Sequence, residues 1–137
     1  MQSVWCFDIN IYGDTYIEAG VLYMATCNVS QYKDDRITRF YAGISNDDQL
    51  SFVIRHSPTI GCYYVSNGTK RCQSSLCSCD MDGLATHWIY STPANLSSPV
   101  TFTCASDNNG IRENSGKWIP FIASKYLSFK LNKLCCC

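Results

Sequence analysis

Two alternating stretches, far apart in the chain, decide the expected fold: Gly20–Ser30 (GVLYMATCNVS) and Val100–Ser106 (VTFTCAS). Every second residue of each stretch falls on a mostly apolar face, and that face carries a cysteine, Cys27 or Cys104. A period of two with β-branched and aromatic residues is typical of half-buried β-strands. Each stretch therefore predicts a strand whose cysteine points towards the core.

Similar short strands are predicted along the rest of the chain, separated by turn residues. They lie at 5–12, 37–45, 50–56 and 86–90, in a hairpin at 62–72, and at 118–129. Helical periodicity is weak throughout. About eight short strands in one domain favour an all-β fold in which two sheets pack face to face as a β-sandwich. We expect the sandwich to span residues 1–131, and residues 132–137 to be a truncated or disordered tail.

The register of the hairpin at 62–72 follows from its turn. A three-residue loop, Ser66-Asn67-Gly68, places its glycine at the left-handed position that such loops require. This loop pairs Val65 with Thr69 and brings Cys62 opposite Cys72. Directly opposed Cβ atoms in a non-hydrogen-bonded pair lie within reach of a disulfide. We therefore expect a local Cys62–Cys72 disulfide, while a two-residue turn would shift the register by one and other pairings stay open.

Composition narrows the class of protein further. The chain has 137 residues, 46% of them hydrophobic, a net charge of zero and ten cysteines. Zero net charge argues against a nucleic-acid binder, and no apolar run approaches the ~18 residues of a membrane span. The many cysteines favour disulfides in an oxidising compartment, so we expect an extracellular protein, secreted or at the cell surface. Met1–Cys6 lacks the basic and apolar regions of a signal peptide, so we expect either a fragment or a biological start other than Met1.

The remaining cysteines have no partner that the sequence alone identifies. Cys77 and Cys79 are separated by one residue and cannot easily close on each other, so we expect each to reach elsewhere. Cys6 is a candidate partner for one of them. Cys135, Cys136 and Cys137 end the chain, and acylation, interchain disulfides and truncation are all compatible with them.

Signatures of catalysis are missing from the sequence. His56 and His87 are the two histidines, and no nucleophile elbow, phosphate-binding glycine loop or H-E-x-x-H helix accompanies them. The competing interpretation is a zinc site built from Cys62, Cys72, Cys77 and Cys79. Its spacing differs from the paired C-x2–4-C knuckles of structural zinc sites. We expect no enzymatic activity, no cofactor and no metal.

Three acceptor sequences for N-linked glycans support an extracellular protein. They begin at Asn28, Asn67 and Asn95. A chain this rich in Asn, Ser and Thr would contain about one to two such matches by chance. Glycans need surface positions, and Asn67 would have one in the hairpin turn. We expect a glycoprotein.

The two cysteine-bearing stretches resemble strands B and F of a divergent, variable-type domain of the immunoglobulin superfamily. Cys27 and Cys104 are 77 residues apart, which suits the inter-sheet disulfide of that family, and the resemblance implies this bond. The places of strands E and G are taken by Thr86–Tyr90 and Trp118–Ala123. The chain departs from the family pattern at Phe40-Tyr41, where strand C usually has Trp, and at Phe102, where Tyr is usual. The additional cysteines resemble those of invertebrate domains, including molluscan ones.

This resemblance implies a recognition or adhesion module of the immune or cell-surface type, which binds a protein or glycan ligand. The candidate binding face consists of Tyr63, Tyr64, Trp88 and Tyr90, and the candidate loop residues are Asn108, Asn109 and Arg112. The loops expected at the ends of the sandwich are Gln31–Arg36, Ser57–Ile60 and Asp107–Lys117. The resemblance also implies tandem domains or other modules in the parent protein. The alternatives are a secreted, disulfide-rich inhibitor or toxin-like effector, and a zinc-stabilised module.

Overall fold

The computed structural model describes residues 8–30, 35–44, 49–108 and 110–123, and these ranges contain strands and turns but no helix. The strands are β1 (Ile9–Gly13), β2 (Tyr16–Glu18), β3 (Leu22–Val29), β4 (Arg36–Ile44), β5 (Gln49–Ser57), β6 (Gly61–Val65), β7 (Thr69–Arg71), β8 (Cys77–Cys79), β9 (Ala85–Ser91), β10 (Val100–Asn108), β11 (Ile111–Asn114) and β12 (Phe121–Ala123). The prediction of an all-β chain is confirmed.

Most strands belong to two antiparallel sheets that pack face to face. The four-stranded sheet has the order β1-β3-β9-β8, and the six-stranded sheet has the order β11-β10-β4-β5-β6-β7. The short strands β2 and β12 form a separate parallel pair. The expected two-sheet sandwich is therefore present, with the short strand β8 at one edge of the four-stranded sheet.

The core lies between the sheets and contains inward-facing aromatic side chains. Trp88 of β9 is 6% exposed, and its ring centroid lies 5.7 Å from those of Phe40 on β4 and Phe52 on β5. Phe102 of β10 stacks on Tyr23 of β3 at 5.2 Å. Aromatic side chains bury about 150–250 Å² each, so this cluster dominates the apolar contact between the sheets. No tryptophan lies on the strand of Phe40, and Trp88 fills that part of the core from the facing sheet.

One disulfide crosses this core from sheet to sheet. It joins Cys27 of β3 to Cys104 of β10 with an S–S distance of 2.07 Å, as predicted. Both residues are at most 1% exposed. Closing a loop of 77 residues in the unfolded chain makes such a bond worth ~4 kcal/mol in a chain-entropy estimate.

Two further disulfides correct the pairing expected from the hairpin. The hairpin has the predicted register, with Val65 opposite Thr69, but Cys62 is bonded to Cys79 and Cys72 to Cys77. The N–H of Cys72 donates to the carbonyl of Cys62 at 3.0 Å. The two residues thus form the hydrogen-bonded kind of antiparallel pair, whose side chains lie farther apart than in the other kind. The prediction of a Cys62–Cys72 disulfide was therefore wrong.

The corrected bonds close one side of the sandwich. Cys62 lies on β6 of the six-stranded sheet, whereas Cys79 lies on β8 of the four-stranded sheet. The bond between Cys72 and Cys77 joins the end of the hairpin to the same strand β8. Together they hold the β6–β7 hairpin against the opposite sheet. Cys6, the partner considered for Cys77 or Cys79, and the tail 132–137 lie outside the described residues.

A hydrogen-bonded corner joins the two ends of the described chain on the other side. The indole N–H of Trp118 donates to the hydroxyl of Tyr23 at 2.7 Å, and that hydroxyl donates to the carbonyl of Asp14 at 2.7 Å. Burial raises the pKa of Tyr23, against a smaller lowering by the bond from Trp118. Trp118 forms only an isolated bridge, to Phe102, before β12 begins at Phe121. The strand predicted at 118–129 is therefore interrupted, and its part beyond Ala123 lies outside the described residues.

Candidate functional site

The outer face of the six-stranded sheet carries a row of side chains that crosses every strand of the sheet. Its members, one from each strand in spatial order, are Arg112, Asp107, Ile37, Arg55, Tyr63 and Arg71. Each member lies directly opposite the next, so neighbours along the row are about 5 Å apart. The alternate residues of the same strands, such as Phe40 and Ile54, are fully buried in the core. We call this set the arginine–tyrosine row.

One end of the row is an ion cluster around Asp107. The guanidinium of Arg39 pairs directly with Oδ2 of Asp107, and Nε of Arg112 lies 3.8 Å from its Oδ1. Arg112 also donates to the hydroxyl of Tyr41 at 2.7 Å. Two guanidinium groups surround one carboxylate, so the cluster keeps an excess of positive charge while its carboxylate is engaged.

The other end of the row contains a shallow depression of about 330 Å³. Its lining residues are Arg55, Ser57, Ile60, Gly61, Tyr63 and Thr69. Nη2 of Arg55 lies 3.2 Å from a carboxylate oxygen of Asp35, and both side chains are about half exposed. Arg71 lies opposite Tyr63 on the next strand, so the tyrosine has an arginine on either side. This end of the row also carries more positive than negative charge.

The four aromatic residues predicted as one binding face do not lie together. Tyr63 and Tyr64 are neighbours on β6 and therefore point to opposite sides of the sheet. Tyr64 stacks on Phe52 at 5.6 Å and packs against the core, whereas Tyr63 lines the outer depression. Trp88 is buried, and Tyr90, two residues further along β9, packs edge-on against it at 5.3 Å. Of the predicted face, only Tyr63 contributes to the outer surface of the six-stranded sheet.

The predicted loop at 107–117 is largely a β-hairpin. Strand β10 extends to Asn108, which pairs with Ile111 of β11, and Gly110 adopts a positive φ of 78° in the turn. Asn109 lies outside the described residues. Asp107 and Arg112 both belong to the arginine–tyrosine row, so the predicted loop contributes two residues to the candidate site.

The predicted loop Gln31–Arg36 ends in a buried arginine. Arg36 is 1% exposed, and its guanidinium donates to Oγ of Ser106 at 2.9 Å and to the carbonyls of Gly83 and Leu84 at 2.6 and 2.9 Å. These bonds tie the six-stranded sheet to the loop between β8 and β9. The prediction of Arg36 as part of a binding loop was therefore wrong, and residues 31–34 lie outside the described ranges.

The surroundings of the two histidines indicate structural roles. His56 lies opposite Arg36 in the β4–β5 ladder, and its burial and the charge of Arg36 lower its pKa, while Asp82 raises it. His87 forms hydrogen bonds through both ring nitrogens, to Thr26 at 2.8 Å and to Asp80 at 2.9 Å. A hydroxyl, an imidazole and a carboxylate in series resemble a catalytic relay. The hydroxyl belongs to a residue only 3% exposed, so it is not presented to a substrate.

The three glycosylation sequences differ in exposure. Asn67 and Asn95 are exposed, and Asn67 occupies the hairpin turn with a φ of 47°. Asn28 is half-buried on β3, between Asn10 of β1 and Ala85 of β9. The surface position that a glycan needs is available at the first two asparagines.

Sequence reasoning missed that six residues form one row, although Tyr63, Asp107 and Arg112 were among its candidates. The hairpin register already placed Arg71 opposite Tyr63, which was a usable signal. Arg55 was predicted on a strand, but its pairing with Tyr63 across the three-residue turn 58–60 was not predicted. Asp107 and Arg112 were identified as loop residues.

The cysteines of the zinc interpretation are all engaged in disulfides. In residues 8–30, 35–44, 49–108 and 110–123, no three or more His, Cys, Asp or Glu side chains are grouped so that they could hold a metal ion. That part of the chain also has no helix that could cross a lipid bilayer. No protein-family model matches the chain, and a search of curated proteins finds none similar to it.

Proposed function

We propose that this domain is an extracellular recognition module with an immunoglobulin-like fold, which binds a protein or glycan through the outer face of its six-stranded sheet. The order of the strands supports the fold. Variable-type immunoglobulin domains have strands A-B-E-D in one sheet and G-F-C-C′-C″ in the other. The orders β1-β3-β9-β8 and β11-β10-β4-β5-β6 follow the same scheme, with β11 and not the expected Trp118–Ala123 at the place of strand G. The disulfide between Cys27 and Cys104 then joins the counterparts of strands B and F.

The observation that carries the proposed binding role is the arginine–tyrosine row. Arginine and tyrosine are enriched among the residues that contribute most to protein interfaces. The side chain of Arg55 is 52% exposed and that of Arg112 is 49% exposed, so both present guanidinium groups to solvent. Exposed apolar side chains such as Leu50 and Val65 lie on the same sheet and add contact area. A polar and partly apolar face of this kind favours recognition of a macromolecular ligand.

The disulfides support this role by holding the face in a defined shape. Cys27–Cys104 fixes β10 and Cys62–Cys79 fixes β6 to the opposite sheet. These two strands carry Asp107 and Tyr63 of the row. A face that is rigid before binding loses less conformational entropy when a ligand binds.

The proposed location outside the cell follows from the same bonds. Disulfides persist in oxidising compartments and are rare in the reducing cytosol. Exposed acceptor sequences at Asn67 and Asn95 support a glycoprotein on the secretory route. The sheet-on-sheet core argues against the alternative of a small disulfide-rich inhibitor, in which an exposed loop and not a sandwich would dominate.

A binding screen with variants of both sheet faces tests this proposal. The domain, displayed in multivalent form, is applied to arrays of extracellular protein domains and of glycans. Arg55→Ala combined with Arg112→Ala changes the row, whereas Leu22→Ser combined with Met24→Ser changes exposed residues of the four-stranded sheet as the matched control. We expect the arrays to contain a ligand that binds the wild type and the control with equal affinity. The same ligand should bind the row variant at least about tenfold more weakly.

Two outcomes of the screen contradict the proposal. Equal loss of binding in the row variant and the control variant would show that the six-stranded face has no special part. Absence of any specific ligand on both arrays would count against a recognition function. Mass spectrometry and thermal unfolding of each variant confirm that its disulfides and fold are intact.

A further inference from the structure

The depression at the β5–β7 end of the arginine–tyrosine row has the chemistry of a small-ligand site. We propose that it binds an acidic saccharide, meaning a sugar ring that carries a carboxylate or sulfate group. This inference rests on the proposed recognition function, because it names the ligand class for one end of the same face. The two ends of the row differ in the positive charge that is left for a ligand, and this difference favours the depression.

Guanidinium groups with donors left for a ligand distinguish the depression from the other end of the row. At the far end, Asp107 already occupies the space between two guanidinium groups. At this end, the contact of Arg55 with Asp35 uses Nη2, and a guanidinium has five N–H groups, so donors remain for a ligand. Arg71 is exposed on β7 beside Tyr63 and, among the described residues, forms no ion pair. An anion placed over Tyr63 would therefore have a guanidinium on each side.

The remaining lining residues suit a sugar ring. Tyr63 is half-buried on β6 and lines the depression. Its ring offers an aromatic surface for the apolar face of a pyranose. Thr69 offers a hydroxyl from β7, and Gly61 has no side chain to fill the space. Ile60 is 59% exposed and forms an apolar part of the lining. Sites for small ligands are usually lined by an apolar surface with a few polar groups.

The size of the depression limits the ligand to one or two rings. Its volume of about 330 Å³ lies at the small end of the range for ligand sites, about 300–1,000 Å³. A peptide bound in extended form would need a groove or a free strand edge along several residues. Strand β7 at the edge of the sheet spans only Thr69–Arg71 and is tied at its end by the Cys72–Cys77 bond. A compact acidic sugar fits these limits better than an acidic peptide.

Matched pairs of monosaccharides provide the test with the intact domain. In the first pair, glucuronate has a carboxylate where glucose has a hydroxymethyl group. In the second pair, galactose 6-sulfate has a sulfate that galactose lacks. Binding is followed by NMR titration of the amide signals of Gly61, Tyr63 and Thr69. We expect saturable shifts with millimolar acidic sugar and little response to the neutral sugar of each pair. The pair with the stronger response identifies the acidic group.

Four variants connect this binding to the depression. Arg55→Gln and Arg71→Gln should each weaken binding about five- to tenfold, since each removes a charged hydrogen-bond donor at a partly exposed position. Tyr63→Phe should keep most of the affinity and Tyr63→Leu should lose it, because the ring and not the hydroxyl contacts the sugar. Lys70→Gln is the charge-matched control: Lys70 is exposed on the same strand as Arg71 but on the opposite face of the sheet, so its loss should leave binding within about twofold.

Several results would overturn the inference. No saturable shift with either acidic sugar would remove it, as would equal responses to the acidic and neutral members of a pair. Equal shifts with acetate or inorganic sulfate would mean that the site holds a simple anion and that the ring plays no part. An equal loss in Lys70→Gln would indicate general attraction to a positive surface. A protein ligand that still requires the row, found together with no sugar binding, would overturn this inference and leave the proposed function standing.

Discussion

The indole of Trp118 donates a hydrogen bond to the hydroxyl of Tyr23 at 2.7 Å, and this contact joins residues 95 positions apart. The hydroxyl of Tyr23 in turn donates a hydrogen bond to the carbonyl of Asp14. The tyrosine lies on β3 of the four-stranded sheet, whereas the backbone of Trp118 bridges to Phe102 of the six-stranded sheet. One phenol thus adds a hydrogen-bonded link between the sheets at β3 and β10, the two strands that the Cys27–Cys104 disulfide also joins.

Removing that hydroxyl should destabilise the domain. Tyr23→Phe keeps the ring against Phe102 but leaves the indole N–H of Trp118 and the carbonyl of Asp14 without their partner. We expect the free energy of unfolding in urea to fall by about 1–3 kcal/mol. Tyr90→Phe is the control, because the Tyr90 ring also packs on Phe102, at 5.2 Å, but its hydroxyl has no hydrogen bond among the described residues. Equal losses in both variants would contradict the role of the corner.

The disulfide pairing can be read from free thiols. Cys62→Ser with Cys79→Ser removes one complete bond and should add no thiol to the wild-type count. Cys62→Ser with Cys72→Ser leaves Cys77 and Cys79 without partners and should add two, because each comes from a different bond. Thiol titration in denaturant measures both. The reverse pattern would restore the Cys62–Cys72 pairing.

The stability of the same variants should follow the length of the loop that each bond closes. Loss of Cys62–Cys79, with a separation of 17 residues, should cost ~3 kcal/mol, and loss of Cys72–Cys77, with a separation of 5, should cost ~2 kcal/mol. The longer loop loses more entropy on closure in the unfolded chain. Urea denaturation of Cys62→Ser/Cys79→Ser and Cys72→Ser/Cys77→Ser gives the comparison. A larger loss for the shorter loop would show that native contacts, and not loop entropy, set the order.

Arg36 should be far more important for stability than the arginines of the outer face. Arg36→Met would leave the buried carbonyl of Gly83 without its donor, at ~1–3 kcal/mol, and would also remove the charged hydrogen bonds to Ser106 and to the carbonyl of Leu84, which keeps the N–H of Val29. We expect the free energy of unfolding to fall by at least about 3 kcal/mol. Arg55→Met, at a half-exposed ion pair, should change it by less than about 1 kcal/mol. A tolerated Arg36→Met would refute the structural role assigned to the buried arginine.

His56 should make stability fall at mildly acidic pH. Its pKa in the folded domain lies below the ordinary value of 6.5, first because it is buried and second because Arg36 is near. The unfolded chain therefore takes up the proton first, so this stabilising contribution is complete above pH 6.5 and is lost as the pH falls towards the folded pKa. His56→Gln should flatten the decline in unfolding free energy as the pH falls below 6.5, measured in urea at closely spaced pH values. An unchanged pH dependence of the unfolding free energy in His56→Gln would contradict the role assigned to His56.

The strands of the core were predictable because their alternation is local. The stretch around Cys27 and the stretch around Cys104 each show the buried face directly, and the structure has β3 and β10 there. The register of the β6–β7 hairpin was also predictable, since a three-residue turn with Gly68 at a φ of 109° determines it. The candidate site was predicted only in fragments, with Tyr63 on the predicted face, Asp107 and Arg112 in one predicted loop, and Ser57 and Ile60 in another. None of these fragments indicates by itself that the others lie on the same face.

The amino-acid sequence alone determined that this chain forms strands, that cysteines would staple them, and which side of each strand is buried, because all of these depend on spacing within a few residues or on composition. Tertiary structure decided which sulfurs meet, since Cys62 and Cys72 are opposed in the hairpin yet bond to Cys79 and Cys77 on β8. It also decided that Tyr63 and Arg112 lie on one face, because β10 pairs with the distant strand β4 in the six-stranded sheet. Both results depend on how distant strands align across and between sheets, and that alignment is set by the packing of the whole core and not by any local pattern.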